Sequence, residues 1–171
     1  DTSIADPDVK STSSSSHSGS SSSSGGSGSS GSGSSNRSKS SKSNSGSLTG
    51  WVSTSDGWIY QINGNNTIGW VNANGTWYFM NNAGIMQTGW VNTNGKWYYM
   101  NAEVPRGKML SNTWLHSSDG KYYYLDSNGA MCEGWTQISG NWYYFYPGSG
   151  YMATNTTVDS FRLGANGAWV R

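Results

Sequence analysis

Ten tryptophans carry the chemical potential of this 171-residue chain. Most come in pairs seven residues apart: Trp51 and Trp58, Trp70 and Trp77, Trp90 and Trp97, Trp135 and Trp142. A fifth unit replaces the second tryptophan with tyrosine, as Trp114 and Tyr122. Indole faces are electron-rich, attract cations and stack on flat sugar rings. Paired rings at fixed spacing therefore suggest a walled binding crevice. Catalytic alternatives have little support. Of the two histidines, His17 lies in a Ser/Gly tract and His116 is expected to sit on a hairpin face beside Tyr122. The many serines have no base near them in the pattern. Cys132 is the single cysteine, which excludes an internal disulfide and any multi-cysteine zinc site. The chain is read as non-catalytic, with no cofactor and no metal, and any enzyme activity is expected upstream of Asp1.

The rings must be positioned, and the composition says by what. Residues 1–47 hold no Trp, Tyr or Phe, and residues 11–47 are almost all Ser and Gly. Such a stretch cannot bury enough apolar area to offset chain entropy, so 1–47 is predicted to be a disordered linker. A Ser/Gly tether of that length spans roughly 30–35 Å and implies a partner domain on its far side. All the aromatics fall within 48–171. Charged residues are only 11% of the chain and the net charge is +1, which argues against nucleic-acid binding. No apolar run reaches the ~20 residues of a membrane helix, so no membrane insertion is expected.

Within 48–171 the sequence repeats itself. Gly69-Trp-Val-Asn-Ala-Asn-Gly-Thr-Trp-Tyr-Phe-Met80 returns as Gly89-Trp-Val-Asn-Thr-Asn-Gly-Lys-Trp-Tyr-Tyr-Met100, and each is followed by Gly-x-Met. Diverged copies begin at Trp51, Trp114 and Trp135, so leading tryptophans are 19, 20, 24 and 21 residues apart. Residues 158–171 form a partial last unit suited to a cap. Asn74-Gly75, Asn94-Gly95 and Ser139-Gly140 favour two-residue primed turns, so each unit reads as a β-hairpin. Trp90, Trp97 and Tyr99 then share one face, and Val91, Tyr98 and Met100 share the other. The fourth unit is one residue longer across its turn. A three-residue turn at Ser118-Asp119-Gly120 keeps its register, opposing Trp114 to Tyr124 and His116 to Tyr122. Isolated hairpins are marginal in water and must stack. The predicted fold is all-β: a β-solenoid of five stacked hairpin repeats plus a C-terminal cap over 48–171, preceded by the Ser/Gly-rich linker.

The pattern Gly-Trp-x-x-x-x-Gly-x-Trp-Tyr-Tyr-Met, followed by Gly-x-Met-x-Thr-Gly-Trp, resembles the choline-binding (cell-wall-binding) repeat of Gram-positive surface proteins and lysins. The likeness covers about 50–171. It implies a secreted, cell-wall-surface module that anchors its protein by holding choline groups of teichoic or lipoteichoic acid in aromatic cages between hairpins. Related repeats bind glucans and receptor glycans, so a carbohydrate-binding array is the alternative. In the family, two rings come from one repeat, one from the next, and a methionine closes the site. Carried onto this chain, the sites are Trp51 and Trp58 with Tyr78; Trp70 and Trp77 with Tyr98; Trp90 and Trp97 with Tyr123; and Trp114 and Tyr122 with Tyr143. The closing residues are Met86, Met109 and Met131. The neighbouring rings Phe79, Tyr99, Tyr124 and Tyr144 compete for the third place. The insertion at Glu103 to Arg106 is expected to disturb the third site, and no hairpin is evident beyond Trp142.

Overall fold

The computed structural model describes residues 48–171. The linker predicted for 1–47 lies outside the described residues. Thirteen strands and no helix are present among the described residues. Strands β1 (Gly50–Thr54), β2 (Gly57–Ile62) and β3 (Asn65–Asn66) form a three-stranded antiparallel sheet. Two-stranded hairpins follow: β4 (Gly69–Ala73) with β5 (Thr76–Met80), β6 (Gly89–Thr93) with β7 (Lys96–Met100), β8 (Thr113–His116) with β9 (Tyr122–Leu125), and β10 (Gly134–Ile138) with β11 (Asn141–Phe145). A short sixth pair, β12 (Thr157–Val158) with β13 (Phe161–Arg162), occupies the expected cap. The chain therefore has one hairpin more than its tryptophans announce.

Turn chemistry explains the register. Asn74 and Gly75 have φ of 53° and 82°, Asn94 and Gly95 51° and 74°, and Ser139 and Gly140 49° and 85°. Two successive positive φ values make the primed turn whose twist matches the strands it joins. Trp90 then opposes Tyr99 and Asn92 opposes Trp97, as expected. In the fourth hairpin Trp114 opposes Tyr124 and His116 opposes Tyr122, and the Ser117 amide donates to the Lys121 carbonyl at 2.9 Å. The longer turn leaves the side-chain faces unchanged.

Stacking is achieved by the segment that returns from each hairpin. The core residue that ends each second strand, Met80, Met100, Leu125 or Phe145, or directly follows it, Leu163, is at most 1% exposed. It bridges to Met86, Met109, Met131, Met152 or Trp169 in the return segment. The amide of that same residue donates to a carbonyl one hairpin back. Met86 bonds Trp58, Met109 bonds Trp77, Met131 bonds Trp97 and Trp169 bonds Trp142, each at 2.8 Å, and Met152 bonds Tyr122 at 2.7 Å. Short side-chain turns aim these segments. The Asp126 carboxylate accepts from the amides of Asn128 at 2.8 Å and Ala130 at 2.9 Å, and Asn81 does the same for Ala83 and Ile85. Glycine is required where the segments meet. A Cβ on Gly129, whose φ is 82°, would overlap the Met109 side chain, and Gly107, Gly150 and Gly167 lie equally close to Met86, Met131 and Met152.

Candidate aromatic cages

Each hairpin lays its double-tryptophan face against the opposite face of the next hairpin. Trp70 meets Trp77 edge-on at 6.3 Å between centroids and meets Tyr98 of the following hairpin at 4.8 Å. Met109 completes an open cavity of about 440 Å3, with Ser111, Ser127 and Asn128 on its wall. The same arrangement recurs one unit later. Trp90 and Trp97 lie 6.5 Å apart, Tyr123 lies 5.0 Å from Trp90, and Met131 closes a cavity of about 250 Å3 beside Gly148 and Ser149. At the fourth hairpin, Trp114, Tyr122 and Tyr143 line a larger cavity of about 640 Å3. Its closing residue is Met152, and Lys121, Tyr151, Thr154 and Asn166 add a polar flank.

A single rule covers these cavities. Two rings come from one hairpin, one ring from the next, a methionine from that next hairpin's return segment, and part of the wall from the return segment after it. The competition between neighbouring rings resolves one way: Tyr98, Tyr123 and Tyr143 line the cavities, whereas Tyr99 and Tyr124 pack behind the leading tryptophan of their own hairpin. The Tyr124 hydroxyl donates to Asn112 Oδ1 at 2.9 Å. Desolvation, reinforced by Asp119, raises the Tyr123 phenol above its ordinary value, so it presents a neutral ring. Burial likewise pushes the Cys132 thiol up, which suits a packed side chain rather than a nucleophile.

The first predicted set behaves differently. Trp51 and Tyr78 do meet, at 4.7 Å, but Trp51 is 6%, Tyr78 3% and Met86 9% exposed. Together with Val71, Ala73 and Met80 they make a buried cluster, with half-buried Trp58 packed against it. Trp77, by contrast, is 45% exposed. The insertion also acts elsewhere than expected. Three residues are added between Asn101 and Gly107 relative to Asn81 and Gly84, and exposed Val104 shows that they loop outward. Met109 still reaches the Trp77 carbonyl, and the third cavity forms with no residue of this loop in its lining.

Sequence reasoning missed a fifth cavity and the closing role of Met152. Trp135, Trp142, Phe161 and Trp169 enclose about 320 Å3 at the C-terminal end. Both had a signal. Gly150-Tyr151-Met152 and Gly167-Ala168-Trp169 continue the Gly-x-Met series, and Phe161 precedes core residue Leu163 by two, as Tyr143 precedes Phe145. The terminal hairpin was hidden because its strands are only two residues each, against four or five in the four hairpins before it.

Comparison with known proteins places the chain. The family profile described as choline-binding repeat matches residues 67–114 and 115–156. The chain belongs to the choline-binding repeat family, whose repeats are a binding module and not a catalytic one. Choline binding protein F from Streptococcus pneumoniae, determined in the presence of a peptidoglycan analogue, is 37% identical with a TM-score of 0.63, over 72% of this chain and 40% of that one. The modular autolysin LytC from Streptococcus pneumoniae is 27% identical with a TM-score of 0.60, over 71% of this chain and 28% of that one. The pneumococcal cell wall endolysin from phage Cp-1, complexed with choline, is 30% identical with a TM-score of 0.51, over 71% of this chain and 37% of that one. The chain thus spans well under half of each of these structures. No curated protein matches it.

Proposed function

We propose that cages two, three and four bind the quaternary ammonium of choline, and that the array anchors its protein to a choline-bearing cell-wall polymer at the cell surface. The observation that carries this reading is the recurrence of two indoles, a phenol ring and a methionine around an open, uncharged cavity at successive hairpins. A trimethylammonium group spreads its charge over methyl groups. It suits ring faces that offer a negative quadrupole; cages two and three are lined by no charged side chain, and the lysine in the lining of cage four, Lys121, is ion-paired with Asp119 at 3.4 Å. Sugar binding instead asks for several fixed hydrogen-bonding side chains, and the second and third cages supply only Ser111, Ser127, Asn128 and Ser149.

Three ring contacts at roughly 0.5–2 kcal/mol each give single-site affinities around the millimolar range. Titrating the chain with choline, with short glucans and with choline-free wall fragments, while following tryptophan fluorescence and Tm, tests the assignment. Saturable quenching and a rise in Tm with choline alone is the expected result. Glucan-dependent stabilisation without a choline response would replace this function with carbohydrate binding.

A further inference from the structure

We infer that His116 makes cage four sensitive to pH: once protonated, it sets a fixed cation against Tyr122 and weakens that cage's hold on a quaternary ammonium, while cages two and three keep theirs. The inference rests on the choline reading of the cages and concerns how one of them is regulated. The His116 imidazole stacks on the Tyr122 ring at 4.2 Å between centroids and 20° between planes. Hairpin register puts it there. Across the strands, Trp58 is opposed by Ser53, Trp77 by Asn72, Trp97 by Asn92 and Trp142 by Gln137, none of which titrates. Tyr122 is opposed by His116. Tyr122 lines the cavity with Trp114 and Tyr143, and His116 does not. The imidazole thus covers one face of Tyr122, and the cavity meets the ring from the side left open.

A neutral imidazole leaves the Tyr122 quadrupole available to a ligand cation. An imidazolium takes it from behind and repels a second cation across the ring. With a ligand at ring-contact distance on the open side, the two charges stand roughly 8–10 Å apart, about one Debye length at physiological salt. The other charges nearby are constant over the range that matters. Asp119 and Lys121, from the turn of the same hairpin, pair at 3.4 Å. The Lys121 amide, donating to Asp119 Oδ1 at 3.1 Å, holds that carboxyl below its usual value, so it stays ionised in mild acid. Lys121 also lies 4.8 Å from the Tyr151 ring centroid. Tyr143 of the next hairpin and Tyr151 of its return segment are the remaining titratable groups that line the cavity. Carboxylates, lysines and tyrosines as classes titrate outside about pH 5–8, and histidine within it. His116 makes no ion pair among the described residues.

Choline can be titrated into the full chain in low salt near pH 8 and near pH 5, following the assigned indole N–H signals of Trp114 for cage four and of Trp77 and Trp97 for cages two and three. Affinity at Trp114 should fall about three- to tenfold on acidification, and affinity at Trp77 and Trp97 should not change. The fall should shrink at about 1 M salt. By reciprocity, saturating choline should move the titration midpoint of the His116 ring protons to lower pH. A purely structural histidine would show no such movement. His116→Asn carries the residue found opposite Trp77 and Trp97, and its cage four should bind choline alike at both pH values. A Trp114 signal that is silent, or that saturates equally at both pH values, while Trp77 and Trp97 respond would overturn this inference and leave the choline reading of cages two and three standing. So would a pH dependence that persists in His116→Asn. Silence at all three indoles at both pH values would overturn both.

Discussion

Trp77 and Trp51 occupy equivalent faces of successive hairpins in a related pattern, yet one is 45% exposed and the other 6%. Exposure decides what each ring does. Trp77→Leu keeps apolar bulk and removes a ring face from cage two. It should weaken choline at that cage by roughly 3- to 30-fold, the range set by one cation–π contact, and leave Tm within a degree or two. Site-resolved titration beside a melting curve measures both, and an unchanged choline affinity would remove Trp77 from the cage. Trp51→Ala empties a packed cluster and should cost about 3–5 kcal/mol by chemical denaturation. The affinities of cages two to four should be unchanged, since none of them uses Trp51.

Hairpins and return segments differ in how they are encoded. Asn94-Gly95 dictates its turn locally, and alternation along four or five residues assigns faces, so register and even the longer turn at Asp119 were legible from sequence. The choice between Tyr98 and Tyr99 stayed open in the sequence, because both are aromatic; in the structure Tyr98 lines the cavity and Tyr99 packs against Trp90. The burial of Trp51, Tyr78 and Met86 was not legible. It depends on how Val71, Ala73 and Met80 of the next hairpin close over them. The terminal cavity was concealed by its hairpin, whose strands β12 and β13 are only two residues each. Two tests belong to this scale. Gly129→Ala forces a methyl group onto Met109 at φ 82° and should destabilise by about 2–4 kcal/mol from combined backbone strain and overpacking, as read by a fall in Tm. Deleting Val104, Pro105 and Arg106 restores the spacing of the preceding unit and should change stability by less than about 0.5 kcal/mol, since Val104 is exposed and the Met109 bond lies beyond the loop. Choline binding at cage two should survive that deletion, and its loss would show that the insertion shapes the cage.

Under the proposed function, weak cages across the molecule would combine on a polymer that carries many ligands. Once one cage is occupied, the next binds at the effective concentration set by the polymer's own spacing. A variant with cages three and four disabled by Trp→Leu changes should retain near-millimolar affinity for free choline at cage two. Its retention on choline-bearing wall should fall by two orders of magnitude or more against the unmodified array. Equal retention in a wall-pelleting assay would refute the multivalent account.

Because each cage borrows from the hairpins that follow it, the cages belong to junctions rather than to repeats. A gene that duplicates the second or third hairpin in place adds one more junction of the same kind, and with it one more cage. Loss of a hairpin by unequal crossing-over removes one site just as cleanly and splices its neighbours into a working junction. The terminal unit is different. Copying it inward would place a tryptophan closure inside the array, and deleting it would strand Trp135 and Trp142 with no partner. Repeat number can therefore drift by recombination in the interior, while the final hairpin is held in place by the junction it completes.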